Sequence, residues 1–233
     1  WAFALLLSLA AGLATAAEPL RVATYNLRLN TPDDGANVWA ARKDMVQALV
    51  RHHGFDLWGT QEGLPEQIAD LAQMREYAHV GVGRDDGRDE GEHSTIFFRR
   101  SRFALLATGD FWLSETPDKP SVGWDGRCCN RLATWARLRD KATGRRLLVL
   151  SAHFDHEGRV AQHESALLIL RWLKAHRGSD LVIALGDFNA TPDTPGVQAM
   201  RAAYRDARLA SETPPYGPEA TFNDFRFGTA PQK

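Results

Sequence analysis

The residues of this chain that could do chemistry stand at the ends of apolar runs. "LVIALGDFNATPD" (181–193) carries five aliphatic side chains, Leu181 to Leu185, straight into Gly186, Asp187, Phe188 and Asn189. "LLVLSAHFDH" (147–156) repeats the design, finishing in His153 and Asp155, while "VATYN" ends at Asn26 and "LWGTQE" at Glu62. In an extended strand residues i and i+2 project to one side, so a strand running on through either pair would present both polar groups together. A sheet that gathered these four ends would bring carboxylates, an imidazole and amides to one cleft, where open α/β sheets place their ligands. Oxygen ligands with few thiols or imidazoles suit a hard cation, Mg²⁺ or Mn²⁺, better than zinc. Such an ion polarises a phosphoryl oxygen and helps to make hydroxide from water, leaving a carboxylate to orient or deprotonate the nucleophile. The set fits hydrolysis of a phosphate ester.

Taken singly, each group has a plainer reading. Asn26 could cap a turn, Glu62 could bond to backbone where a helix begins at Pro65, and His153 could be a satisfied core histidine. Asp187 with Asn189 resists that treatment, because two polar groups on one side of a buried strand carry a desolvation cost that calls for partners.

The elements that must position these groups follow from periodicity. A strand is expected in "LRVATYNLR" (20–28), then a helix over 38–53 with Val46, Leu49 and Val50 at helical spacing and Gly54 as its stop. "FDLWGTQE" (55–62) reads as a second strand, and Pro65 opens a helix with Ile68, Leu71 and Ala72 on one face. A Gly- and charge-rich segment (81–94), holding Arg84 and Arg88, reads as a solvated loop that could cover a substrate. It precedes two strands paired about a turn near Arg100-Ser101, then a hairpin about Thr143-Gly144. A helix over 160–176 is expected to bury Ala166, Leu167, Leu170 and Leu173. Phe111, Trp112 and Trp135 read as core. With no repeat or linker, the pattern gives one α+β domain.

The 28 basic residues against 29 acidic ones leave a formal charge of −1, so no overall field draws in a polyanion. "WAFALLLSLAAGLATAAEP" is apolar, then rich in small residues, with an A-x-A site at Ala14-Thr15-Ala16. Residues 1–17 are therefore assigned to the leader of a secreted or periplasmic protein and 18–233 to the domain. The chain opens on Trp1, so the leader is expected to be incomplete at its start. No later segment has the length of a transmembrane helix. Cys128 and Cys129 are adjacent, cannot staple distant segments, and read as two small buried side chains in preference to a vicinal disulfide.

"TYNLR", "LWGTQE", "SAHFDH", "GDFNATPD" and "TFND", in that order, resemble the endonuclease/exonuclease/phosphatase family, the deoxyribonuclease I-like superfamily. "TGDFWLSETPDKP" and "GWDGRCCNRLATWARL" are similar to its exported bacterial branch. The resemblance implies a DNase I-like four-layer α/β sandwich, two packed mixed β-sheets flanked by helices, with the site at one edge. It implies Glu62 as the main Mg²⁺ ligand (Mn²⁺ as the substitute), with Asn26 beside it. Asp187 would activate water, and Asn189 would hold the phosphate or the nucleophile. His153 would donate a hydrogen bond to the phosphoryl oxygen or protonate the leaving group, and Asp155, Arg131 and Trp124 would contact substrate. The family closes with an Asp-bearing strand and an "SDH" end, whereas this sequence stops at "TFNDFRFGTAPQK". The carboxyl-terminal strands are thus expected to be missing and this chain to be poorly active. The implied partner is a phosphate ester, whether nucleic acid, phospholipid headgroup or sugar phosphate, with no obligate protein partner. A binding protein that keeps the fold without turnover is the alternative.

Overall fold

The structure, a computed structural model, describes residues 19–226; the leader assigned to 1–17 lies outside that range. Among the described residues eight strands run in chain order: β1 Val22–Asn26, β2 Leu57–Gln61, β3 Tyr77–Val80, β4 Ile96–Arg99, β5 Phe103–Trp112, β6 Leu132–Asp140, β7 Arg146–His153 and β8 Leu181–Asp187. The α-helices are α1 Trp39–His53, α2 Pro65–Leu71, α3 Arg159–His176 and α4 Pro195–Ala203. The strands make two four-stranded mixed sheets, ordered β1-β2-β4-β3 and β5-β6-β7-β8.

Period-two alternation on strands apolar on both faces produces the layers. Along β2, Leu57 points between the sheets, with Ile96, Phe98, Leu138, Leu147 and Val149. Its neighbour Trp58 points out against α1 and α2, stacked on Phe97 with ring centroids 4.4 Å apart. Along β7, Leu147 and Val149 face the other sheet, while Leu148 and Leu150 join Ala166, Ile169 and Leu173 of α3. Each such fully buried side chain contributes roughly 1.5–3 kcal/mol. Helix, sheet, sheet and helix therefore stack in four layers, as the resemblance implied.

Two parallel pairs place the site. β1 and β2 are parallel and joined through α1; β7 and β8 are parallel and joined through α3, the crossover that parallel pairing demands. Their registers set Asn26 opposite Gln61 and His153 opposite Asp187. Across the interface β1 lies against β8 and β2 against β7 and β8, and Gln61 Nε2 donates to Ser151 Oγ at 3.2 Å. Four strand ends thus meet at one edge. The sheets approach closely at Gly59, where an added Cβ would sit 2.7 Å from Ser151 Oγ and 3.1 Å from Ser151 Cβ. Ser151 is fully buried and hydrogen-bonded and cannot yield. Gly59→Ala is expected to destabilise by about 1–3 kcal/mol, seen as a lower urea midpoint at unchanged slope.

Several expectations are corrected. The segments flanking Arg100-Ser101 are not a hairpin: β4 pairs with β2 and β3, and β5 pairs with β6 in the other sheet. Arg102 pins that corner, its guanidinium 2.7 Å from Asp56 Oδ2 at the foot of β2 and 3.4 Å from Asp140 Oδ2 at the end of β6. The face buried by α3 is Ala161, Gln162, Ser165, Ala166, Ile169 and Leu173. Leu167 and Leu170 flank that face, being only partly buried. β8 is an edge strand of its sheet among the described residues and is only partly buried. Cys128 and Cys129 are not buried thiols, since their sulfurs are bonded to each other in a largely exposed loop.

Candidate active site

The strand ends converge on one hydrogen-bonded cluster. Asn26 Nδ2 donates to Glu62 Oε1 at 2.7 Å and to Asp187 Oδ2 at 2.9 Å, so one amide bridges carboxylates from the two sheets. Its Oδ1 accepts from Arg28 N at 2.9 Å. Glu62, one residue past β2, holds φ 61°, a left-handed conformation that costs an ordinary residue about 1–2 kcal/mol. That turn carries its carboxylate to Asn26 and lets Oε2 accept from Leu29 N at 3.1 Å. β8 ends at Asp187, so Asn189 does not extend the strand as the i, i+2 reading required. It too is left-handed, with φ 46°, and its N–H donates to Asp187 Oδ1 at 3.0 Å. Its side chain nevertheless turns into the cluster. Nδ2 donates to Phe154 O at 3.0 Å and lies 3.1 Å from His153 Nε2.

His153 is buried and its ring is fixed from behind. Arg131 Nη1 donates to His153 Nδ1 at 3.1 Å and Nη2 to His156 Nδ1 at 2.8 Å. A guanidinium can only donate, so Nδ1 of His153 accepts and the ring proton sits on Nε2. Burial, then the charges of Arg131 and Arg84, hold the His153 pKa well below its ordinary value, and the ring is neutral. Nε2 and the Asn189 amide nitrogen are then both donors, an arrangement that an oxygen atom bridging them would satisfy.

Asp155 and Trp124 are not delivered to the cluster. Asp155 is buried, its Oδ1 accepting from Glu157 N at 2.9 Å and Gly158 N at 2.7 Å, and its Oδ2 lies 3.8 Å from Arg131 Nε. It anchors a loop and faces Arg131 from behind. Trp124 stands in the β5–β6 connection with its N–H donating to Glu115 Oε2 at 3.0 Å. The next residue, Asp125, caps α3 from a distance by accepting from Ala161 N at 2.7 Å and Val160 N at 3.1 Å. Arg131 reaches the cluster through His153.

The charged segment 81–94 is an ordered wall of the site. Arg84 N donates to Glu92 O, Asp85 N to Glu90 O, and Trp112 Nε1 to Arg84 O at 2.7 Å. Asn130 Nδ2 ties it to the β5–β6 connection through Asp85 Oδ1 at 3.1 Å. It delivers Glu92, which the sequence reading did not single out. This carboxylate pairs with Arg84 at 2.6 Å and lies 3.7 Å from His153 Nδ1, and burial pushes its pKa up.

Ligand atoms of Glu62, His153 and Asp187 all lie within 4.8 Å of one another. Two carboxylates held side by side by a single amide leave negative charge that a hard divalent ion would neutralise. Cys128, Asp155 and His156 form a second cluster of that size, but the sulfur is already in a disulfide and the Arg131 guanidinium bonds His156. The first cluster fits a cation through its two carboxylates, since both nitrogens of His153 are taken by Arg131 and the ring proton, and the second does not.

A profile described as the Endonuclease/Exonuclease/phosphatase family matches residues 23–232. The chain belongs to that family. Among solved structures, an endonuclease/exonuclease/phosphatase family protein from Bacteroides thetaiotaomicron is 41% identical, with TM-score 0.76, covering 79% of this chain and 68% of that one. A mannosyl-6-phosphatase from the same species is 40% identical, with TM-score 0.76 and coverage of 79% and 71%. The human Nocturnin catalytic domain, at 18% identity and TM-score 0.69 over 88% and 78%, shares the fold. An uncharacterized protein of Acanthamoeba polyphaga mimivirus is 23% identical over 205 residues; the match covers 72% of this chain and 30% of that protein. This endonuclease/exonuclease/phosphatase chain thus spans under a third of the viral relative's length.

Proposed function

We propose that the protein is a divalent-metal-dependent phosphoesterase that cleaves its ester by direct attack of water. One observation carries this reading: the Asn26 amide bridging Glu62 and Asp187, with His153 Nε2 and the Asn189 amide facing the same space. Glu62 would hold the cation, Mg²⁺ or Mn²⁺, with Asn26 setting the spacing of the carboxylates. When bound, the ion would supply charge to the phosphoryl group and acidify water. Asp187, adjacent to that position, orients the nucleophilic water and takes its proton. His153 Nε2–H and Asn189 Nδ2 donate to a phosphoryl oxygen as negative charge grows on it, the preorganised stabilisation that dominates many such reactions. A neutral His153, held by Arg131, is suited to donating a hydrogen bond; it carries no spare proton for the leaving group. The solved relative named a mannosyl-6-phosphatase supports a phosphate-ester substrate for this chain also. The apolar leader would place the activity outside the cytoplasm.

The test is hydrolysis by the intact protein of a panel holding DNA, RNA, p-nitrophenyl phosphate, bis(p-nitrophenyl) phosphate, sugar phosphates and sphingomyelin, with Mg²⁺ or with chelator. Cleavage of at least one class is expected, falling about 10²-fold or more on chelation or in Glu62→Gln. Mg²⁺ should raise the melting temperature of the wild type and leave Glu62→Gln unmoved. Cleavage that persists undiminished in chelator would sink the reading.

A further inference from the structure

Beside Glu62 and His153 the surface sinks into a notch of about 10 Å³, lined also by Arg84, Glu92, Asn130 and Arg131. That is room for a single water or oxygen atom. The groups on its wall differ in what they have left to give. Both terminal nitrogens of Arg131 are engaged by His153 and His156, and its Nε, without a hydrogen bond, lies 3.8 Å from Asp155 Oδ2. Arg84 donates through Nη1 to Glu92 at 2.6 Å, and among the described residues its Nη2 meets no acceptor. Its side chain is 13% exposed, and its Nε is buried without a hydrogen bond, 4.0 Å from Asp85 Oδ1. Burying a guanidinium with donors unmet is costly, and the fold takes trouble to do it. The backbone of segment 81–94 is laced to itself, to Trp112 and to Asn130, and Glu92 sets the side chain's direction.

We infer that Arg84 is the specificity determinant of the site, binding the third non-bridging oxygen of a phosphomonoester and so selecting monoesters over diesters. This rests on the phosphoesterase reading above and names its substrate class. A transferable phosphoryl group of a monoester has three non-bridging oxygens. One belongs with the Glu62–Asp187 side, one with the donor pair of His153 Nε2 and Asn189 Nδ2, and the third with the Arg84 notch. A diester has only two such oxygens, and its third substituent is an ester oxygen bearing carbon. A notch of one-atom size, lined by Arg84 and Arg131 as well as Glu62 and Glu92, accepts a bare oxygen by the unmet Arg84 donor and by volume. It rejects the alkoxy group twice over, because carbon does not fit and because Arg84 would be left buried against an apolar group. The second negative charge of a monoester at neutral pH adds to the discrimination.

The experiment compares kcat/KM for p-nitrophenyl phosphate and bis(p-nitrophenyl) phosphate in the intact protein with Mg²⁺, for wild type, Arg84→Gln, Arg84→Lys and, as a surface control, Arg88→Gln. Wild type should favour the monoester by about 10²-fold or more. Arg84→Gln should lower monoester kcat/KM by about 10- to 100-fold and leave the diester within about 3-fold, collapsing the ratio. Arg84→Lys keeps a charge opposite Glu92, and so protects the comparison if the Gln variant folds poorly; it should fall between. As a readout free of turnover, inorganic phosphate should raise the melting temperature of wild type and Arg88→Gln but not of Arg84→Gln. A wild type that cleaves the diester as well as the monoester overturns the inference. So does an Arg84→Gln whose two activities fall together or not at all. Hydrolysis of neither ester nor of any panel member would instead overturn the phosphoesterase reading itself.

Discussion

Asp187→Asn is expected to lower kcat about 10²- to 10⁴-fold, the range typical of removing a positioned general base, while the protein stays folded. The substitution conserves shape and removes one charge and one acceptor. Asp187 uses both oxygens, Oδ2 for the Asn26 amide and Oδ1 for the Asn189 N–H. An amide can serve only one of these donors, and its own N–H₂ then faces the other. Two opposed donors at a part-buried site cost about 1 kcal/mol, the low end of the range for an unmet polar group, because water can reach them. Thermal melting should therefore show a drop of a few degrees, far too small to account for the activity lost. If kcat instead fell only in proportion to the unfolded fraction, Asp187 would be a structural carboxylate.

The groups legible in the sequence were those whose signal is local. Asn26, Glu62, His153 and Asp187 each follow an apolar run, and a run that long in a mixed fold has to be a strand with its end at a sheet edge. The two parallel pairs then do the rest: a β-α-β unit puts both of its strand ends on one side, and packing the two units together brings all four ends into contact. Asn189 was found by an argument that fails, since the strand stops at Asp187, but a tight left-handed turn, which Asn tolerates well, returned its side chain to the same place.

What was not legible depends on long-range partners. The turn at Arg100–Ser101 reads alike whether the chain doubles back in one sheet or crosses to another; the decision lies with Asp56 and Asp140, one from each sheet, converging on Arg102. On α3 the aliphatic residues gave only part of the inward face, Ala166 and Leu173, because that face also includes Gln162, which donates to Asp155 O at 2.9 Å and Asn189 O at 3.0 Å. A buried residue serving backbone carbonyls leaves no hydrophobic signature. Glu92 is hidden for a related reason. Segment 81–94 carries five acids and two arginines, and nothing in its composition says which carboxylate turns inward until Arg84 and His153 are seen beside it. The adjacent cysteines gave no distance to test, so a bond between them could not be told from two thiols.

Arg131→Met should be the most destabilising single change at the site, costing about 3 kcal/mol, the lower end of the range for breaking a buried ionic contact by removing one partner. Methionine keeps the apolar stem of the arginine without its guanidinium, so the loss is chiefly of charge and donors. Asp155 keeps its two backbone N–H bonds, which moderates the penalty, but His153 loses the donor that fixes its tautomer. Nitrogen NMR of the wild type should show His153 with Nδ1 bare and the proton on Nε2, and the variant should lose that preference. The pH dependence follows from the same contact. A histidine whose folded pKa is depressed stays neutral in the folded state while the unfolded chain takes up a proton below about 6.5. The unfolded state then binds more protons, so stability is full above that pH and falls as pH is lowered, by at most about 1.4 kcal/mol per pH unit for one group. Burial is the larger cause of the depression at His153, and Arg131 the next. Arg131→Met should therefore retain the sign of the slope between pH 5 and 6.5 and reduce its steepness, because burial remains when the charge is gone. Equal slopes in the two proteins, measured by urea denaturation across that window, would mean that burial alone keeps His153 neutral there.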